Sequence, residues 1–137
     1  MIETSIVEGE LPPWKNDDSH EGHGAELVFY GRVRDEELGK KILALEYEHY
    51  EGMAEKELQQ LAEDTAEKFP IGDFVCHHRI GKIAVGEASI RVSIWSKHRV
   101  EGLEAMAWFI SELKVRVPIW KWALTVDGER LPSKCKH

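Results

Sequence analysis

The chain has 137 residues, 42% of them hydrophobic, and its 25 acidic against 18 basic side chains leave a formal net charge of −7. That length accommodates one globular domain, residues 1–137, with a single core. An acidic chain without a Lys/Arg tract is not suited to nucleic acid or an anionic bilayer, and no apolar run approaches the roughly 20 residues of a membrane span.

The N-terminal MIETSIVEGE is acidic and has no signal-peptide hydrophobic region, so the expected compartment is the cytoplasm. Cys76 and Cys135 lie far apart and in no CxxC pattern, which predicts reduced thiols. Ile2 to Val7 is a short apolar-alternating piece. Residues 12–24, PPWKNDDSHEGHG, are rich in turn formers and predict a mobile loop. His20 and His23 are metal-ligating side chains, but HEGH lacks the His-x-x-x-His spacing of a helical metal pair. A solvated loop without a metal is expected there.

Ala25 to Val33 alternates as a half-buried strand, and Ile42 to Tyr50 alternates again with Leu43, Leu45 and Tyr47 on one face. The two predict an antiparallel pair joined by a floppy charged connection. Helical spacing of Ala54, Leu58, Leu61, Ala62 and Thr65 follows within Met53 to Phe69, closed by Pro70 and Gly72. Asp73 to Ile80 and Ala88 to Trp95 are two further strands, with a brief extended excursion over Gly81 to Glu87 between them. His77 and His78 should point to opposite faces of their strand, one packed and one solvated. A second long helix begins after Ser96-Lys97-His98-Arg99 and is ended by Pro118. Trp120 to Val126 is a loose strand, Asp127-Gly128 a turn, and Glu129 to His137 a polar tail. The order predicts an α+β fold with two main helices on a mostly antiparallel sheet.

On the second helix, Leu103, Met106, Ala107, Ile110, Leu113 and Val117 form one apolar stripe, and Lys114 falls near its middle. Such a lysine either snorkels past the helix end, where it complements the macrodipole, or lies desolvated in a pocket. Desolvation would disfavour its ammonium and suit it to proton transfer or acyl acceptance. Lys121 follows seven residues later. The sequence contains no Walker loop, GxGxxG, nucleophile elbow or clustered Cys/His set. Chemistry must then rest on Lys, Arg and His, a set that suits an anionic substrate.

Five separated motifs carry a resemblance: GRVRD (Gly31 to Asp35), LEYEHYEGMAEKEL (Leu45 to Leu58), HRIGKIAVGE (His78 to Glu87), SKHR (Ser96 to Arg99) and LKVRVPIWK (Leu113 to Lys121). From Ala25 onward the chain resembles the MoaE family, the large catalytic subunit of molybdopterin synthase. The resemblance implies an α/β-hammerhead fold and a homodimer. It also implies a small ubiquitin-like, MoaD-like sulfur carrier whose Gly-Gly tail enters each large subunit, giving a heterotetramer. That tail, as a thiocarboxylate, would donate sulfur to cyclic pyranopterin monophosphate. Two transfers would build the molybdopterin dithiolene, with no metal or organic cofactor.

Matched motif by motif, the resemblance makes Lys114 and Lys121 the catalytic residues. Arg32, Val33, Arg34, His98, Arg99, Trp122 and Ala123 would join them in binding substrate, with the His98–Arg99 pair reaching in from the neighbouring subunit. Arg34, His98 and Arg99 are of the type that binds phosphate through charge-assisted hydrogen bonds, and a helix start at His98 adds backbone donors. Plainer roles stand beside these: an Arg34–Asp35 ion pair worth about 0–1 kcal/mol, His98 as a helix cap, and Trp95, Trp108, Trp120 and Trp122 as core and interface residues. The chain departs from the family at Trp122-Ala123, where a base followed by an acid is usual. An alternative reading is a non-catalytic paralogue serving as a dimeric binding or regulatory module.

Overall fold

A computed structural model describes residues 1–13 and 20–133. These form strands β1 (Ile2–Glu8), β2 (Ala25–Arg32), β3 (Glu36–Glu37) and β4 (Lys40–His49), helix α1 (Met53–Lys68), strands β5 (Ile71–Ala84) and β6 (Ala88–Ser96), helix α2 (Arg99–Arg116), and strands β7 (Ile119–Thr125) and β8 (Arg130–Ser133). Residues 14–19 of the expected loop, and Cys135 with the end of the tail, lie outside the described residues. No described helix is long and apolar enough to cross a membrane.

The sheet runs β2-β6-β5-β4-β7-β8, with β1 added to β5 and β3 to β4. Every pairing is antiparallel except β1 on β5. The long β5 organises it. Its first half, up to His78, lies between β1 and β6, and beyond Gly81 (φ 90) it pairs with β4 instead. Gly81 takes up a left-handed backbone conformation that a side chain would resist. The apolar interior is accordingly two clusters rather than one. Both helices pack on the first half-sheet over Leu58, Leu61, Phe74, Ile94, Phe109 and their neighbours. Val33, Leu45, Tyr47, Ile83 and Ala123 make a second cluster, and Ile119 touches both.

The expected β2–β4 hairpin does not form. β2 pairs with β6, while β4 pairs with β5 and β7. The charged connection is ordered, not floppy. Leu38 and Gly39 (φ 56 and 74) make a two-residue turn that lays Glu36 opposite Lys41 and Glu37 opposite Lys40. Of the two opposed pairs only Glu36–Lys41 comes within ion-pair reach, at 3.9 Å, while Lys40 turns to Glu129 at 2.8 Å and Glu37 to Arg34; the tight turn makes a small hairpin of β3 with β4. A register shift between Ile42 and Ala44 turns Leu43 outward, 59% exposed, so only Leu45 and Tyr47 share the buried face.

α1 buries Ala54, Leu58, Leu61, Ala62 and Thr65, the five positions its spacing predicts. α2 is rotated from the expected stripe: it buries Gly102, Ala105, Phe109 and Leu113, and leaves Leu103 54% exposed. Gly102 sets that rotation. A Cβ there would lie 2.6 Å from Leu27 Cδ1 and 2.7 Å from Ser96 Oγ, so the helix approaches β2 and β6 on its bare backbone. A hydropathy plot gives a glycine no weight, which hid the buried face. His77 and His78 are both buried, contrary to the alternation argument. β1 covers the His77 face, where Ser5 Oγ and Glu3 meet its ring, and Tyr47 packs edge-on to His78.

Candidate functional site

A cleft of about 200 Å³ opens where β2 ends beside β4 and β7. Arg32 and Arg34 reach it from the end of β2, Glu37 from the β3 turn, Tyr47 from β4 and Lys121 from β7. Strand register explains the convergence, because Tyr47 stands directly opposite Lys121. The Lys121 ammonium lies 5.9 Å from the Tyr47 ring centre, and the Arg32 guanidinium 5.4 Å from that of Tyr30. Cations held over aromatic faces keep their charge available to an anion while their stems are packed. Glu37 is the one acid of the lining and is buried. It accepts from Arg34 Nη2 at 3.3 Å and from Ser133 Oγ at 3.1 Å. Among the described residues Arg34 pairs with Glu37, where the sequence offered Asp35; Asp35 pairs with Lys41 at 3.3 Å.

Beneath the cleft a chain of hydrogen bonds fixes Tyr47. Its hydroxyl donates to Ser89 Oγ at 3.3 Å, and Ser89 donates to Gly31 O at 3.2 Å. His78 Nδ1 faces Arg79 O at 2.7 Å; a carbonyl only accepts, so that nitrogen carries the hydrogen. Burial pushes the His78 imidazole down to about 4, and the nearby charges of Lys121 and His49 add to the effect. A neutral ring below the cleft leaves its net charge to Arg32, Arg34 and Lys121 against Glu37. In a chain of net charge −7, this concentrates an attractive field for a small anion.

The other predicted residues are distributed as follows. Val33 is core: its backbone clamps the end of β2 to the β5–β6 turn through Val33 N to Glu87 O (2.9 Å) and Gly86 N to Val33 O (2.8 Å). Ala123 shares the Lys121 face of β7 and is buried in the second cluster. Trp122 is on the opposite face. Its indole N–H donates to Glu48, holding that carboxyl below the usual range, and the Arg130 guanidinium stacks 4.1 Å from its ring centre. Arg130 in turn binds Glu46 at 2.9 Å and Glu48 at 3.2 Å, away from the cleft.

Lys114 is exposed in the last turn of α2 and is not among the residues lining the cleft. The desolvated setting expected for it is not met within one chain, because the Gly102 face, and not the Leu103 face, turns inward. His98 and Arg99 are exposed at the start of α2. The β2–β6 register sets Ala25 opposite Ser96 and Arg32 opposite Ala88. Seven residue steps therefore separate the two ends, about 24 Å at 3.4 Å each. One chain cannot bring His98–Arg99 and Arg32–Arg34 to the same small molecule. Sequence reasoning missed Tyr30, Glu37, Tyr47 and His78 at this site. The opposite charges flanking Leu38-Gly39 were a signal for Glu37; the strand alternation alone gave none for His78.

The family model described as "MoaE protein" matches residues 10–116. The molybdopterin synthase catalytic subunit of Pyrococcus abyssi is 46% identical over 106 residues, 77% of this chain and 72% of that protein. The same-named subunit of Escherichia coli is 36% identical over 137 aligned positions, covering 95% and 90%. Among solved structures, molybdopterin synthase from Staphylococcus aureus superposes with a TM-score of 0.77 at 34% identity, over 91% of this chain and 93% of that one. The complex of subunits 1 and 2 of the molybdopterin-converting factor from Helicobacter pylori shares the fold, with a TM-score of 0.72 at 24% identity over 96% and 90%.

Proposed function

The chain belongs to the MoaE family and is a sulfurtransferase of the molybdopterin synthase type; we propose that it works through the Arg32–Arg34–Lys121 cleft, completed by a second copy of itself. The substrate in this reading is cyclic pyranopterin monophosphate. Arg32, Arg34 and Lys121 bind its anionic end, with the forked guanidinium groups matched to phosphate geometry. Glu37 holds Arg34 in place from beneath. The His98–Arg99 pair of the partner subunit closes the pocket, since the pair on the same chain lies about 24 Å off.

The sulfur donor is the C-terminal thiocarboxylate of a small ubiquitin-like carrier, an inference supported by the two-subunit complex of the Helicobacter protein. Each transfer joins the carrier's sulfur to a substrate carbon. Water then takes the sulfur's place on the carrier, whose tail leaves as an ordinary carboxylate. Two transfers give the dithiolene and open the cyclic phosphate. Lys114, exposed in the last turn of α2, serves the carrier tail as proton donor or acyl acceptor once carrier and partner subunit cover it. The lysine's chemistry then depends on desolvation by assembly, not by its own fold. In this reading neither the cleft nor the lysines call for a metal or organic cofactor.

The observation that carries the proposal is the gathering of three cations into one cleft of an acidic protein. The test mixes the purified chain with thiocarboxylated carrier and cyclic pyranopterin monophosphate and measures dithiolene formation. Lys121→Ala should lose at least tenfold in kcat/KM with its thermal unfolding unchanged, since Lys121 is only partly buried at the cleft. Undiminished turnover in that variant would remove Lys121 from the site. A wild-type chain inactive with every carrier thiocarboxylate would favour the non-catalytic paralogue.

A further inference from the structure

His20 and His23 are not the solvated pair that their turn-rich setting predicts. Both rings are half-buried against the start of β5 and the end of β6. The His20 ring stacks on Trp95 at 4.2 Å between centres and 9° between planes. The His23 ring lies directly over Gly72, where a Cβ would come within 2.0 Å of its Nε2. Only glycine at position 72 admits the ring. Asp73 follows, and its Oδ2 stands 3.0 Å from His20 Nδ1. One donor atom from each of His20, His23 and Asp73 lies within 4.8 Å of the other two.

We propose that His20, His23 and Asp73 form a binding site for a divalent first-row transition ion, best matched by Zn²⁺, which clips residues 20–24 to the head of β5. Two imidazole nitrogens and a carboxylate oxygen are a borderline donor set of the kind Zn²⁺ takes at about 2.0–2.2 Å in tetrahedral geometry. Ligand atoms around such an ion stand roughly 3.3 Å apart, so the widest pair closes by at most about 1.5 Å, within reach of a side-chain rotation. Two further observations point the same way. His23 Nδ1 is buried and has no hydrogen-bond partner among the described residues, an unfavourable arrangement until something binds it. Asp73 Oδ1 accepts from the Met1 ammonium at 2.8 Å, which orients the carboxylate as outer partners orient metal ligands. Solvent supplies the fourth position, since His20 and Asp73 side chains keep 14% and 21% of their surface.

The clip has a consequence for α2. Gly24 N donates to Lys97 O at 3.2 Å, and a Cβ on Gly24 would meet that oxygen at 2.7 Å, so residues 20–24 press on the backbone just before His98 and Arg99. An occupied site would hold that backbone still. This consequence rests on the role proposed above for His98 and Arg99; the metal site itself does not.

The test titrates chelator-stripped full chain with Zn²⁺ against a chromophoric indicator, alongside His23→Ala, Asp73→Asn and Cys135→Ser. Cys135 and His137 could bind zinc on their own, which is why the cysteine variant is included. The expected result is one Zn²⁺ per chain, kept in Cys135→Ser and weakened at least tenfold in the other two. X-ray absorption of the zinc-loaded wild type should show nitrogen and oxygen neighbours and no sulfur. Substoichiometric uptake, an affinity unmoved by His23→Ala and Asp73→Asn, or a sulfur shell would each overturn the proposal, whatever the dithiolene assay gives.

Discussion

Subunit complementation tests the shared site most directly. One plasmid carries Lys121→Ala and the other the double change His98→Ala, Arg99→Ala. On a single chain these lesions lie at opposite ends of β2, about 24 Å apart by strand register, farther than one small substrate can bridge. If each pocket takes Lys121 from one subunit and His98–Arg99 from the other, both homodimers have two broken pockets. A re-assorted heterodimer has one pocket carrying both lesions and one carrying neither. Random pairing at equal dose makes half the dimers mixed, each with one of two pockets whole, so about a quarter of wild-type pockets return. Co-expression followed by the dithiolene assay should give about a quarter of wild-type rate, where mixing the separately purified, non-exchanging homodimers gives only their mean. A co-expressed sample no faster than that mean would refute the shared pocket. So would a fully active His98→Ala, Arg99→Ala homodimer.

Gly102→Ala should destabilise despite the better helix propensity of alanine. The new Cβ meets Leu27 and Ser96 at 2.6 and 2.7 Å, an overpacking cost of about 1–3 kcal/mol against a gain of about 1 kcal/mol, measurable as a lower urea midpoint with unchanged slope. His78 predicts acid sensitivity: burial holds its folded value at about 4 against 6.5 unfolded, so below pH 6.5 the unfolded chain takes up a proton that the folded one refuses. Stability should be full above that value and fall by about 3 kcal/mol on the way down to pH 4, with His77, also lowered chiefly by burial, adding in the same sense. Urea midpoints from pH 7.5 to 4.5 check this. His78→Gln should flatten the slope, and a slope as steep as wild type would show that other groups carry it.

How legible the fold was in the sequence depended on whether the deciding interaction was local. α1 could be read to the residue because one face of Leu and Ala packs on the sheet and nothing else competes. The turn at Leu38-Gly39 was legible as a turn but not as a hairpin of its own, so β2 was assigned the wrong neighbour. Its actual partner, β6, is separated from it by all of α1 and β5. Strand order of that range is set by which faces two helices must cover, and no dipeptide records it. β8 is likewise hidden in a polar tail, because Arg130 to Ser133 has no apolar alternation; it is a strand because Asp127-Gly128 folds it back onto β7.

The site divides along the same line. Arg32, Arg34 and Lys121 were found by motif and meet in the cleft, since strand register between β4 and β7 and the clamp at Val33 bring them together. The apolar setting that the stripe predicts for Lys114 is not provided by its own chain. The helix face that carries it nonetheless has Val100 and Leu103 more than half exposed, an expensive surface for a lone molecule to leave in water. In the dimer proposed above, Val100 and Leu103 would be covered together with the lysine. The stripe lies along the edge of the buried face of α2: Leu113 and Val117 are core, Met106 and Ile110 pack against it, and only Leu103 and Ala107 of its members stay exposed. Desolvation of Lys114 would then come with the complex and not with the fold of one chain, so Val100→Ser, Leu103→Ser should weaken assembly while leaving the urea midpoint of the isolated chain unchanged.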